Sequence, residues 1–547
     1  MTWEAIAKSK REALVSKIPA DWVLNTLPSA EDEPNVCNYL AKILPQEETA
    51  IANLTIAELS SQIASGKLSS HRVTSVFCKR ASFVHQLTNC CSEIFIDRAL
   101  ARALKLDDYL KKNGKPIGPL HGIPISLKDQ VNLEGIDTAI GYVSLVNKPV
   151  KKEDVSNIAT ILEDLGAVFY VKTTTPTAMM SGETVSNLLG PTLNSCNRKI
   201  SCGGSSGGEG ALVGGRGSLL GLGTDIGGSI RLPSNAQGLF GLRCSTGRIP
   251  YCKITNSNAH QPVIRSVVGP MATDLNDLKL FTKAIINTEP WKNDPLCPHI
   301  PWREFEIKGK LSYGVLDLTK GHYLHPPIKR ALRMTRNALT SDGHEVLDIA
   351  SPIPLFEMLD LCMRILRADG GKEIIAECEK SGEPVRNEVL VRNDDGSLSD
   401  ERTITEFWDD AGLRYEYQQI FDKFWQSTVS LTSTGRPIDG FLLPLHATTG
   451  YKVGDFRRLG TFFTPIFNLL DYSVVAMPIT KADKEVDIIE TLYKPLNELD
   501  EICYKYYDPE LFDGTPVGLQ VIAPRYEEER AIFLTEIAEK ALKKQAS

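Results

Sequence analysis

The sequence has no apolar run approaching the ~20 residues that span a bilayer. Its longest apolar stretches, such as 472–479, have the length of a core strand, so no membrane partner is expected. Cysteines at metal-ligand spacing are also missing. Of the twelve, Cys90 and Cys91 are adjacent and Cys196 and Cys202 six apart. That argues against a zinc cluster and suits a reducing, cytoplasmic setting. Nor is there an excess of positive charge: Lys plus Arg number 61 against 68 Asp plus Glu, a net −7. Nucleic acid is therefore not expected as a partner. Met1–Arg11 lacks the apolar segment of a secretory signal, and Gln545-Ala546-Ser547 matches no lipidation or retention signal.

What is present is globular: 547 residues, 42% hydrophobic and 24% charged. Residues 1–54 read as an N-terminal helical extension, broken by Pro28 and by Glu31-Asp32-Glu33-Pro34. Residues 55–547 read as one large α/β domain. Thr55 with Glu58 spells a capping box, and Gly66 stops that helix. Further helices are expected near 73–77 and over 94–111. Ile123–Lys128 and Ala167–Lys172 read as buried strands flanking a helix capped by Ser156, a crossover unit of a largely parallel sheet. Strands are expected again at 310–317, 440–444, 472–479 and 517–522, a helical region over 352–430 with a polar loop at 393–400, and a last helix at 527–540.

Between Gly203 and Gly228 stand 12 of the chain's 41 glycines. Such density implies close backbone approach or positive φ. Gly221-Leu222-Gly223 with Gly227 loosely imitates a dinucleotide fingerprint, but its last gap is one residue too long and no P-loop lysine follows. A nucleotide-binding protein is the rival reading from a different class. A flexible linker fails because Leu219, Leu220, Leu222, Ile226 and Ile230 are interleaved. The third reading is a serine hydrolase loop, in which the amides of Ile226–Ser229 form an oxyanion nest and Ser229 begins a helix.

A serine needs a base, and none of the nine histidines is marked as one. His121 reads as solvated or structural; His322 and His325 could share a helix face but lack an acidic third ligand, and are assigned to the surface. Cys202, as an alternative nucleophile, has no nearby histidine. Lys128 ends an apolar strand, and Asp129 should point to the opposite face. A lysine with an ordinary pKa of ~10.4 is almost wholly charged at neutral pH; burial makes it usable as a base.

Three segments together resemble the amidase signature family: Gly122–Asp129, the serine–glycine loop Gly203–Gly210, and Gly223-Thr224-Asp225-Ile226-Gly227-Gly228-Ser229-Ile230-Arg231. The wording from Lys128 to Asn132 with Gly135–Thr138 is similar to the fungal acetamidase branch. One departure is Ser195 after Asn194, where many members have Asn-Pro. The resemblance implies a single domain with a mixed twisted sheet covered by helices on both faces. It implies Ser229 as acyl-enzyme nucleophile, Ser205 as bridging serine on a cis peptide and Lys128 as base. Ile226, Gly227, Gly228 and Ser229 would supply oxyanion amides, Met179 would stand beside the substrate, and Ser206, Asp225 and Arg231 would hold the loop. The expected activity is hydrolysis of a small carboxamide, without cofactor or metal, by a chain free to form a homodimer. Within the family, an aminoacyl-tRNA amidotransferase subunit and a lipid-amide hydrolase are the alternatives.

Overall fold

The computed structural model describes residues 1–317, 322–390, 398–459 and 463–546. Its backbone is an eleven-stranded sheet. In chain order the strands are β1 (Cys91–Ile94), β2 (Pro124–Lys128), β3 (Val168–Thr173), β4 (Leu220–Asp225), β5 (Phe240–Arg243), β6 (Val267–Ala272), β7 (Ser312–Asp317), β8 (Glu345–Ala350), β9 (Gly440–Pro444), β10 (Ser473–Lys481) and β11 (Pro516–Ala523). Their order across the sheet is β1-β3-β2-β4-β6-β5-β10-β11-β9-β7-β8.

The crossover read from residues 123–172 is real, since β2 pairs parallel with β3 and with β4. The sheet as a whole is mixed rather than largely parallel. Parallel pairs join β3, β2 and β4 on one side and β9, β7 and β8 on the other; the edge strand β1 runs antiparallel to β3, and the middle, from β4 through β6, β5, β10 and β11 to β9, is antiparallel throughout. Every residue of β2, β3, β4, β6, β9 and β11 is buried. Strands covered on both faces read as continuous apolar runs, which is why sequence alone located β2, β3, β9 and β11; β4, interrupted by Gly221 and Gly223, and β6, interrupted by Gly269 and Pro270, were not read as strands.

Helices flank this sheet to make a single α/β domain. One core cluster runs from Ala7 and Leu14 to Ala538 and Ala541, so the helices Trp3–Ser16, Val36–Ile43 and Gln46–Ala52 pack into it through Ala7, Leu14, Val36, Leu40 and Ile51. The Thr55–Glu58 capping box forms, and Gly66 takes a left-handed φ of 74° just beyond that helix. Two readings shift. The helix expected from 94 begins at Ile96, after the short edge strand β1, whose four residues carry too little pattern to be seen. Ser156 precedes the helix Asn157–Asp164 without capping it; its Oγ accepts from the Asn132 amide at 2.9 Å and donates to the Lys253 carbonyl at 2.6 Å. Part of the polar loop expected at 393–400 lies outside the described residues.

Four helices carry residues of the site described below: α1 (Gly207–Gly214), α2 (Arg231–Gln237), α3 (Leu355–Leu366) and α4 (Phe456–Leu459). Helix α1 holds glycines that weaken a helix by about 1 kcal/mol each relative to alanine. The reason is close approach: a Cβ on Gly208 would meet the Thr174 amide and the Cys90 carbonyl.

Candidate active site

Lys128 is the last residue of β2, and its side chain is completely buried. Its Nζ lies 2.8 Å from Ser205 Oγ and 2.8 Å from Thr224 Oγ1. Ser205 follows a cis peptide bond from Gly204. Thr224 comes from β4, the strand beside β2. The hydrogen-bond network fixes the direction of each contact. The Thr255 carbonyl can only accept, so Gln130 turns its Nε2 to it at 3.1 Å. Gln130 Oε1 then faces Thr224 Oγ1 at 2.6 Å and accepts the threonine proton. Thr224 Oγ1 is thereby left to accept from an N–H of Lys128. With Lys128 neutral, its lone pair is free to face Ser205.

Burial drives the Lys128 amine down to about 7, although Asp225 and Glu209 oppose that shift with their charge. Glu209 in α1 is itself buried; desolvation pushes it up to about 8, against the hydroxyls of Ser126 and Thr173 that donate to it at 2.6 and 2.9 Å. Among the described residues no carboxylate stands at ion-pair distance from Lys128.

The turn after β4 is organised by Asp225. Its carboxylate accepts from the amides of Gly228 (2.8 Å) and Ile230 (3.2 Å), from Arg231 Nε (3.0 Å) and Nη2 (3.1 Å), and from Asn468 Nδ2 (2.8 Å). Burial would raise Asp225, but the charge and hydrogen bonds of Arg231 and the bond from Asn468 outweigh it and hold the carboxyl well below the usual range. Ser206 ties this turn to the serine–glycine loop: its amide donates to the Ser229 carbonyl at 3.2 Å, and its Oγ to the Thr224 carbonyl at 3.2 Å. The expected oxyanion set is altered at one position. The Gly228 amide is engaged by Asp225, whereas those of Ile226, Gly227 and Ser229 meet no acceptor among the described residues. Gly228 adopts a φ of 129°, and a Cβ there would strike the Thr464 hydroxyl, which donates to the Gly227 carbonyl at 2.7 Å. Helix α2 starts at Arg231, so Ser229 sits in the turn before the helix rather than at its first residue.

Gly204, Ile226, Gly227 and Ser229 line one cavity of about 340 Å³. Met179, Met180, Ser181 and Gly182 close one side, and α3 and α4 the other. Ala178 and Met179 both have left-handed φ angles, 61° and 60°. Non-glycine residues held there cost of order 1–3 kcal/mol each and cluster at functional sites. Met179 was legible only through the family resemblance.

One expectation is corrected here, and three lesser readings are decided. His322 and His325 are not on the surface: both are buried, His322 against Phe356 and Phe463, and His325 between the Thr449 amide and the Cys503 carbonyl. They share no helix, because His325 precedes the helix Pro326–Ser341. Desolvation lowers His325 to about 3, a neutral core residue. His121 is buried and structural, its Nδ1 accepting from the Ile117 amide at 3.1 Å. Cys202 is buried, and desolvation pushes its thiol far up, away from nucleophilic use. Gly221 and Gly223 lie inside β4, not in a phosphate-cradling loop. One cluster was missed: His85, Cys90 and Cys91 are buried with nitrogen and sulfur atoms within 4.8 Å of one another, a set that could hold a soft metal ion. Thr224, Gln130 and Glu209 were also missed as neighbours of Lys128. Thr224 stood inside a recognised segment, but its closeness to Lys128 comes from strand adjacency.

Comparison with known proteins identifies the family. The family model described as Amidase matches residues 72–532. The chain is 40% identical to "Acetamidase" of Emericella nidulans over 99% of its own length and 98% of the relative's. It is 36% identical to "Probable amidase" of Saccharomyces cerevisiae, over 96% of both. Among solved structures, "Fatty acid amide hydrolase" superposes with a TM-score of 0.90 at 32% identity, covering 98% of this chain and 95% of that one. The chain belongs to the amidase signature family and is related to the fungal acetamidase-branch amidases.

Proposed function

We propose that this amidase-signature hydrolase cleaves a small carboxamide to a carboxylic acid and ammonia through an acyl-enzyme on Ser229. The observation that carries the reading is the buried Lys128 amine, hydrogen-bonded to Ser205 without a carboxylate to keep it charged. In the proposed step, Ser229 Oγ attacks the amide carbonyl carbon. Its proton passes to Ser205 Oγ while the Ser205 proton passes to Lys128 Nζ. Charge on the carbonyl oxygen is met by the amides of Ile226, Gly227 and Ser229; one such donor is worth ~3–4 kcal/mol by deletion.

The C–N bond then breaks. The leaving amine takes its proton from the Lys128 ammonium through Ser205, and departs as ammonia. Water enters, gives a proton to the same relay and attacks the ester carbon. The acid is released, and Ser229 recovers its proton. Thr224 and Gln130 keep the lysine lone pair directed at Ser205 throughout. Asp225, Arg231 and Ser206 hold the turn that presents the amides.

The cavity favours an acyl group larger than acetyl: Leu232, Leu359, Met363 and Leu366 form an apolar wall that a two-carbon acyl group would leave unfilled. A fluorophosphonate probe tests the nucleophile, with labelling expected at Ser229. A panel of primary amides of graded chain length tests the substrate. Full activity of Ser229→Ala would end the assignment.

A further inference from the structure

The cavity that reaches Ser229 carries two guanidiniums in its wall, those of Arg367 and Arg457. Neither is neutralised by a carboxylate among the described residues. Arg457, in α4, gives its Nη1 to two backbone carbonyls, Asn387 at 2.6 Å and Leu390 at 3.1 Å. These fix its position without supplying a counter-charge among the described residues. Arg367 follows the last residue of α3, and its guanidinium meets no hydrogen-bond or ion-pair partner among the described residues. Helix α3 aligns Leu359, Met363 and Leu366 on the cavity, at i, i+4 and i+7, which places Arg367 directly after an apolar wall roughly 10 Å long.

Among the described residues, the acidic groups of the neighbouring segments that follow have other partners. Glu388, also in the wall, is paired with Arg386. Asp369 accepts from the amides of Gly371 and Glu373 at 3.0 and 3.1 Å. Asp455 accepts from the Tyr506 hydroxyl at 2.7 Å. Burial lowers the Arg367 guanidinium to about 10, and the like charge of Arg457 pushes the same way. A cation in that state gains when an anion joins it, and a planar guanidinium binds carboxylate in two-point fashion. The chain's overall net charge of −7 makes this local excess a property of the cavity and not of the surface in general.

We infer that the preferred substrate is an amide whose acyl chain ends in a carboxylate, with methylenes lying along the Leu359–Met363–Leu366 wall and the carboxylate held by Arg367. This rests on the hydrolase reading above and names the substrate class of the same site. The charge is read at the far end of the molecule, so the scissile carboxamide remains neutral.

The test uses the full-length protein and three matched series of primary amides: ω-carboxy amides from malonamic to suberic monoamide, their methyl esters, and the unsubstituted alkyl amides of equal length. At the best length, the carboxylate series is expected to exceed both neutral series in kcat/KM by about tenfold or more. Arg367→Gln should lower the ratio of charged to neutral kcat/KM by about tenfold, mainly through KM, and Arg367→Lys should restore part of it. Adipate should raise the melting temperature of the wild type more than hexanoate does, and Arg367→Gln should abolish that difference. Equal turnover of acids and methyl esters, or a ratio unmoved by Arg367→Gln, would overturn the inference and leave the hydrolase reading intact. Arg367-dependent adipate binding without hydrolysis of any amide would overturn the hydrolase reading and keep only Arg367 as the carboxylate-binding group.

Discussion

Lys128 and Lys172 sit on adjacent parallel strands, one register step apart, and both are fully buried. Burial lowers both amines. Their surroundings differ. Lys172 has Asp129 at 3.6 Å and donates to the Asp137 carbonyl and Thr138 Oγ1 at 2.7 Å each. Asp129 in turn is held by Ser92 Oγ and the Ile140 amide, both at 2.6 Å. Lys128 faces hydroxyls only. A buried lysine with a carboxylate is a structural ion pair. One without it can shed its proton near neutral pH and take one from a serine. Asp129, beside Lys128 in sequence, serves the other lysine, because successive strand residues point to opposite faces.

Removing the chemistry on the Lys128 side should have the largest effect. Ser229→Ala and Lys128→Ala are each expected to reduce kcat/KM by about ten-thousandfold. Both should keep a cooperative thermal transition close to that of the wild type. A loss of folding in both would leave the comparison unsupported.

A smaller effect is expected at the group that orients the base. Thr224→Val should lower kcat by roughly ten- to hundredfold, with Thr224→Ser recovering most of it. Without its acceptor the ammonium is less stabilised, so the acidic limb of the pH–rate profile should move to lower pH while the plateau falls. A merely structural defect would lower the plateau without moving the limb.

On the Lys172 side the effects should invert. Lys172→Met leaves Asp129 buried without its cation, and should cost about 3–5 kcal/mol in chemical denaturation. The midpoint of the pH–rate profile should stay in place, and kcat should change by no more than about threefold. A shift of that midpoint as large as the one produced by Thr224→Val would blur the distinction between the two lysines.

The smallest effect sharpens the account of the oxyanion turn. Asn468→Asp puts a second acid beside Asp225 and weakens its grip on the Gly228 and Ile230 amides. A several-fold fall in kcat with little change in KM is expected, read in steady-state kinetics with the best amide.

Much of this arrangement was legible in the residues. The buried strands β2, β3, β9 and β11 announced themselves as apolar runs, and the glycine density marked where backbone must approach backbone. Lys128 was identifiable because it closes such a run. What was hidden depended on neighbours distant in sequence. Thr224 reaches Lys128 only because β4 lies beside β2, and Glu209 enters the same environment because Gly221 has no side chain to keep it out. His322 and His325 were placed on the surface because no acidic third ligand accompanied them; the aromatic cage that buries them comes from residues 356, 463, 507 and 512. The antiparallel middle of the sheet was likewise unreadable, since strand order is set by long connections and not by local pattern.

The central claim is that Lys128 works as an uncharged amine. The most direct measurement is the rate of Ser229 modification by a fluorophosphonate as a function of pH. Below the midpoint the amine is an ammonium with no lone pair, so the rate should fall about tenfold per unit. Above it the rate should level off, with the midpoint near 7 and the whole profile lost in Lys128→Ala. A rate independent of pH from about 5 to 9, or a profile unchanged in Lys128→Ala, would contradict the account.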